Sequence, residues 1–243
     1  MVAPETCRRR EGGARIATEN WAAVVLIAAP LWFNATFALL GRWFDYPDIL
    51  RRPTAEILAR FRAGGASLIL LWWAFMLSGL LLIAGAVLLG QVLGFAGIVP
   101  LATAIGVLAG LVQMLGLLRW VYVVPALARA NADQSLAPEQ REVHAAVFRA
   151  LHQYLGVGVG EHLGYLFTGI WSVLIGIGVL QGTALPTWLG WPGVVIGAGL
   201  AIGSAEFLGP NEERGWKLAG AAIPILYIAW SIWLLVLGIS LIA

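Results

Sequence analysis

The chain has 243 residues, of which 60% are hydrophobic and 12% charged, with a mean hydropathy of +0.85 and 12 tryptophans; a soluble domain carries about 25% charge. Lipid is therefore its solvent, and at about 20 apolar residues per crossing there is room for about six spanning helices in one bundle, with none left for a second domain. The net charge of +2 is scattered over tails and loops without the basic–aromatic pattern of a nucleic-acid groove, which argues against a nucleic-acid partner; the single Cys7 rules out an internal disulfide, a thiolate cluster or CxxC chemistry.

Residues 1–20 read as a polar tail in which Arg8, Arg9, Arg10 and Arg15 are partly offset by Glu5, Glu11 and Glu19, and in which Gly12 and Gly13 break any helix. The three consecutive arginines suit anionic headgroups, although solvation is the commoner fate of so short a run. The first apolar run is too long for a signal-peptide core and lacks a small-residue cleavage site, so it reads as a retained span over residues 21–41. Pro30 predicts a kink there. Asn34 is a candidate ligand-binding amide whose simpler role is an interhelical hydrogen bond.

Residues 42–65 form the more distinctive loop. Trp43, Phe44 and Tyr46 suit the headgroup belt. Pro53, Glu56, Arg60 and Arg62 are ordered as a helix macrodipole requires, and Ile57, Leu58 and Phe61 share one face, so a short amphipathic helix is expected in the interface, ended by Gly64 and Gly65. Asp45 and Asp48 are a candidate cation or acid–base pair, but neighbouring Arg51 and Arg52 favour loop salt bridges. Spans at residues 68–88 and 98–118 then make a tight hairpin through an uncharged link, with Gly106 and Gly110 as one contact face. Arg119 closes the third span, either as a snorkelling anchor or as an intramembrane charge.

A second amphipathic segment follows, with Val147, Phe148, Leu151 and Leu155 expected on one side and His144, Arg149 and Gln153 opposite. It feeds the fourth span at residues 155–180; the fifth and sixth lie at 188–208 and 218–243. Loops one, three and five hold Arg42, Arg51, Arg52, Arg60, Arg62, Arg129, Arg141, Arg149, Arg214 and Lys217, while loops two and four hold no Lys or Arg. The positive-inside rule then puts the basic loops in the cytoplasm and both termini outside. The arginines of the tail conflict with that orientation unless the true start lies nearer Ala14.

The most informative stretch is RALHQYLGVGVGEHLGY, residues 149–165. Gly156, Gly160 and Gly164 recur every four residues and, on an α-helix, line one face open to another backbone. Glu161 and Tyr165 share a face, with His162 about 100° round from Glu161. An ionisable residue in a span is a functional candidate because its desolvation must be offset, and Arg119 is the candidate partner of Glu161. Their depths are the difficulty: a straight hairpin turning near Gln134 sets Arg119 level with about Arg149, whereas Glu161 moves up towards Arg119 if residues 138–153 lie along the interface, and the sequence does not choose between the two. The candidate polar cluster is Arg119, His152, Glu161, His162 and Tyr165.

His152 and His162 are about 15 Å apart in rise on one helix and cannot ligate one haem iron from both faces, so haem is disfavoured. No metal is expected, since neither HExxH nor a His-rich cluster is present, and no other cofactor is indicated. Ser172 and Ser204 lack a GxSxG elbow or local base. Glu206, at the end of the fifth span, is expected to meet water. A proton-coupled carrier using Glu161 is chemically reasonable, but the halves show no repeat and no paired broken helices.

FDYPDILRRPTAEILARF after the first span, LLRWVYVVPALA closing the third and GVGEHLGYLFTGIW opening the fourth resemble a bacterial membrane-protein family, domain of unknown function 4386, over most of residues 20–243. The resemblance implies a bacterial multi-pass membrane protein and brings no activity, cofactor or catalytic residue with it.

The expectation is therefore an all-α integral membrane bundle of about six transmembrane helices with short interfacial amphipathic helices, as a polar tail (1–20) and one membrane domain (21–243) in the bacterial cytoplasmic membrane. Its partners are membrane lipids and a small apolar or lipid-like ligand, with homo-oligomer contacts through glycine-rich helix faces. The leading reading is non-enzymatic, with a carrier using Glu161 and a membrane enzyme using the Glu161/His162 region as alternatives.

Overall fold

A computed structural model defines the backbone of residues 5–242 and the side chains of residues 16–242 other than Glu213. Helix α1 runs Glu5–Phe44, α2 Thr54–Val92, α3 Val99–Tyr122, α4 Val124–Asn131 and α5 Pro138–Leu151; a π-helix at His152–Leu163 leads into α6, Gly164–Gln181. Then come α7 (Gly190–Gly203), a 3₁₀ turn at Ser204–Phe207, α8 (Pro210–Arg214) and α9 (Lys217–Ser240), and the described residues contain no strand. Six helical runs are long and apolar enough to cross a membrane: Ile16–Phe44, Thr54–Val92, Val99–Asn131, Pro138–Gln181, Thr187–Phe207 and Lys217–Ser240. This is a multi-pass membrane bundle.

The backbone of α1 continues through Gly12 and Gly13, so these glycines do not stop the helix. With intrahelical hydrogen bonds on both sides, their low propensity costs only about 1 kcal/mol each. The Arg8 to Arg10 headgroup expectation concerns side chains outside those described.

Glycine sets how close the helices come. In the α2–α3 hairpin a Cβ on Gly110 would stand 2.5 Å from the Gly79 carbonyl, and one on Gly106 would meet Trp171 and Ala86. Between α6 and α7 a Cβ on Gly169 would lie 2.5 Å from the Gly197 carbonyl, and Gly176 meets Gly190 in the same way. Backbone touches backbone, as small-residue membrane interfaces allow. These glycine faces are taken up by contacts within the chain.

The basic loop opens with Asp48–Arg51 as a 3₁₀ turn, and α2 bends at Gly65, whose φ of 56° and ψ of −149° interrupt an otherwise helical run. The amphipathic helix before the bend buries Ile57, Leu58 and Phe61 against Phe44, Trp72 and Trp120. Its apolar face is thus turned to protein. Trp72 and Trp120, both fully buried, stack at 4.6 Å with 8° between planes.

α5 departs from expectation in its facing. Ala145 and Phe148 are buried and His144 lies inward beside them, whereas Val147 is 42% exposed. The helix packs on α4 and α2, which rotates the buried stripe one residue from the one that apolar content alone selects. Alternation of the six runs brings the loops at residues 45–53, 132–137 and 204–216 to one end of the bundle. The links at 93–98 and 182–189 lie at the other.

Candidate functional site

The site forms where the π-helix lies against α3 in antiparallel register. A Cβ on Gly164 would meet Gln113, one on Gly160 would meet Gly116, and one on Gly156 would meet Arg119. The Gly-xxx-Gly-xxx-Gly run therefore does face α3, on i→i+5 rather than i→i+4 hydrogen bonding. Such wider turns are unusual and occur mostly at functional positions.

The same register corrects the depth of Arg119. It stands beside Gly156, seven residues beyond the straight-hairpin level of Arg149 and towards Glu161. Only 5% of Arg119 is exposed. One guanidinium nitrogen donates to the Gly116 carbonyl, another lies 3.4 Å from His152 Nδ1, and its carbon sits 5.2 Å from the Trp120 ring centroid. A guanidinium has donors only, so His152 Nδ1 accepts. His152 in turn stacks on Phe148 at 5.7 Å. Arg119 Nε has no partner.

The expected Arg119–Glu161 ion pair is not formed: among the described residues no salt bridge joins them, and Glu161 makes no hydrogen bond. Each still lies in the field of the other. Gly156 holds the guanidinium about one turn away from the carboxylate along the helix, and there it is bound to backbone and His152. Glu161 is half-buried, with no cation in contact.

Three tyrosines from separate elements, Tyr46, Tyr165 and Tyr227, lie within reach of the field of Glu161. Their rings belong to one aromatic succession. Phe207 meets Tyr165 at 5.3 Å, Tyr165 meets Tyr227 at 5.1 Å and Tyr227 meets Phe33 at 5.9 Å. Phe33 reaches Phe37 at 6.1 Å, and Phe37 reaches Tyr46 at 5.5 Å. Tyr46 lies in the loop after α1. Burial first, and then the charge of Glu161, push its phenol above the ordinary tyrosine range, with Arg119 acting the other way.

His162 is tied to the turn after α7. Its Nδ1 lies 2.9 Å from the Ser204 carbonyl, and since a carbonyl only accepts, Nδ1 donates. That bond ties the π-helix to the Ser204–Phe207 turn, whose Glu206 contributes to the field at Glu161. Glu206 is partly buried, and it also lies in the field of Arg51.

The secondary candidates fall elsewhere. Asn34 Nδ2 donates to the Pro30 carbonyl at 2.7 Å and to Ser231 Oγ on α9 at 2.9 Å, which makes it an interhelical tie. Asp45 accepts from Arg52 at 2.7 Å and Asp48 lies 3.9 Å from Arg51, both as loop salt bridges. No group of three or more metal-ligand side chains occurs among the described residues. A cavity of about 600 Å³, lined by Thr18, Glu19, Gln91 and Gly182, lies at the opposite end of the bundle and shares no residue with the Glu161 cluster.

Sequence reasoning missed Tyr46, Tyr227 and Glu206. Tyr46 and Glu206 sit near span ends, where tyrosine and glutamate are ordinary belt and surface residues, and Tyr227 lies mid-way along α9 with no local mark to set it apart. No curated protein and no solved structure matches the chain. The family described as Domain of unknown function (DUF4386) matches residues 21–238, nearly the whole sequence, and the chain belongs to it.

Proposed function

We propose that the chain is a non-enzymatic binding protein of the bacterial cytoplasmic membrane, which holds a small apolar or lipid-like molecule within its bundle with the polar end at Glu161. Glu161 is the observation that carries this reading: a half-buried carboxylate inside an apolar run, one helical turn before Tyr165, with neither a hydrogen bond nor an ion pair among the described residues. A carboxylate in a span must have its desolvation offset. A bound polar group does that where the chain supplies none. Native mass spectrometry of the protein extracted in mild detergent is the test. Wild type should carry a bound molecule that Glu161→Gln loses while its unfolding temperature is kept; identical spectra for the two proteins would sink the proposal.

A proton-coupled carrier is the second reading. It is favoured by a file of polar groups linking α3, α6 and α9: Gln113 donates to Thr168 Oγ1 at 3.0 Å, Ser172 to the Thr168 carbonyl at 2.8 Å and Trp230 to Ser172 at 2.9 Å. Proteoliposomes loaded with a pH-sensitive dye would show substrate-dependent proton flux that Glu161→Gln abolishes. Equal flux in wild type and variant would dismiss it.

A further inference from the structure

The cavity at the end of the bundle away from the basic loops has a lining that suits one class of ligand. It measures about 600 Å³, within the range of small-molecule sites, and three separated segments enclose it: Thr18 and Glu19 of α1, residues 91–94 closing α2, and residues 182–184 after α6. Its depth is that of the headgroups. Trp21, Phe95, Trp188 and Trp191, close in sequence to those segments, are all exposed, as the rings of an interfacial belt are. The cavity shares no residue with the Glu161 site.

Acceptors dominate this lining. Glu19 is half-buried and is the one ionisable side chain in it among the described residues; a carboxylate accepts at about four positions, so it serves a ligand alongside any other contact it makes. Gln91, Thr18 and Thr183 add an amide and two hydroxyls. Both α2 and α6 end here, and a helix ends in carbonyls without intrahelical donors and in the negative pole of its macrodipole. At the end of α2 the N–H groups of Gly94 and Phe95 return to Gln91 and Gly90. At the end of α6 Gly182 is extended, and no backbone N–H of residues 183–185 returns to the helix. The carbonyls of Val179, Leu180 and Gln181 are thus left to donors from outside the backbone. α3 and α7 begin at this same end of the bundle, but none of their residues lines the cavity, and no lysine, arginine or histidine does so among the described residues.

The lining also discriminates. An anion would meet the carboxylate and two negative helix ends. A trimethylammonium group has no N–H to donate and is recognised by aromatic faces, of which the described lining has none. We propose that the cavity binds a primary ammonium group, whose N–H donors go to Glu19, to Gln91 and to the carbonyls that end α2 and α6. At headgroup depth that group belongs either to an aminophospholipid or to a free amine, and the chemistry of recognition is the same for both.

Two measurements on the full chain in an uncharged detergent test this and separate the sources. Native mass spectrometry compares adducts of phosphatidylethanolamine, phosphatidylcholine and phosphatidylglycerol with the same acyl chains, and saturation-transfer NMR compares free ethanolamine with choline. At least one primary ammonium probe should bind about tenfold or more tightly than its trimethylated counterpart, since hydrogen bonds involving a charged group are the strong ones, and phosphatidylglycerol should bind least. Selective phosphatidylethanolamine adducts without an ethanolamine signal assign the site to lipid, and a selective ethanolamine signal assigns it to free amine. Glu19→Gln should remove most of the preference in whichever assay shows it. Equal binding of both primary ammonium probes and their trimethylated counterparts overturns the proposal, as does unchanged selectivity in Glu19→Gln or the absence of binding by either amine. Should Glu19→Gln not fold, Gln91→Leu, at an exposed position, is read instead: a severalfold loss for the primary ammonium probe alone supports the proposal, and no loss overturns it.

Discussion

Gly156 of the π-helix stands against the guanidinium of Arg119, so close that a Cβ on the glycine would come within 2.6 Å of Nη2. One turn along, Gly116 and Gly160 meet backbone to backbone, at 2.5 Å from a built Cβ to Cα. The two contacts differ in what can yield. A guanidinium can swing at the loss of its bonds to Gly116 and His152, whereas a backbone can move only by parting two helices. Alanine on a helix recovers up to about 1 kcal/mol of propensity, while overpacking costs about 1–3 kcal/mol. Gly116→Ala is expected to lower stability by the upper part of that range and Gly156→Ala by less. Thermal unfolding in one detergent gives the order, and a more stable Gly116→Ala protein would refute the close approach.

Arg119 and Glu161 influence one another without touching, and a double-mutant cycle can weigh that. Arg119→Met removes the charge at similar volume, and Glu161→Gln removes the other at nearly constant shape. The double variant should be more stable than the sum of the singles, with a coupling of about 0.5–3 kcal/mol. Arg119→Met alone should be the worse single change, because it removes the cation whose charge acts on Glu161. Chemical unfolding in mixed micelles measures all four proteins; additivity would mean that the guanidinium serves only Gly116 and His152.

What the sequence could disclose of this site follows from how local each signal is. The six spans rest on composition over windows as long as a helix, and the glycine repeat names its own face, so both are readable from a single segment. The amphipathic helix before Gly65 is readable for the same reason, although only packing decides that Leu58 and Phe61 face Phe44 and Trp120 rather than lipid. The depth of Arg119 depends on how the segment between the third and fourth spans is laid, and Arg119 stands beside Gly156, seven residues from the straight-hairpin level of Arg149. Tyr46, Tyr227 and Glu206 come from a loop, a sixth span and a 3₁₀ turn. Nothing local joins them, and they meet only through long-range packing.

Asn34 offers a separate measurement, since its amide reaches Ser231 across α1 and α9 at 2.9 Å. Interhelical side-chain bonds in membranes are worth about 0.6 kcal/mol on average and at most about 1.7 kcal/mol. Asn34→Ala should lower stability by about that much, and Ser231→Ala should add little once Asn34 is gone. Binding of any ligand at Glu161 should be unaffected in the Asn34 variant. A loss of ligand without a loss of stability would move Asn34 from tie to site.

Gly65 isolates backbone from packing. Its φ of 56° and ψ of −149° lie where side chains other than glycine are strained, yet a Cβ there would meet nothing within 4 Å. Any loss in Gly65→Ala must therefore come from the conformation itself, at about 1–3 kcal/mol. The bend is what lets the helix before it lay Ile57, Leu58 and Phe61 on Phe44 and Trp120. If the variant straightens α2 to relieve the strain, that helix leaves the bundle and the buried aromatic group opens to solvent or lipid. Tryptophan emission should then shift, and proteolysis within residues 51–62 should rise, in parallel with the stability loss. Gly64→Ala provides the contrast, because a Cβ there would lie 2.6 Å from Leu68 Cδ2 and 2.7 Å from Leu68 Cβ, which is fixed to the backbone, so its loss would come from packing rather than from the conformation of the bend. A Gly65→Ala protein as stable as wild type and equally resistant to protease would mean that the bend is not required to seat the amphipathic helix.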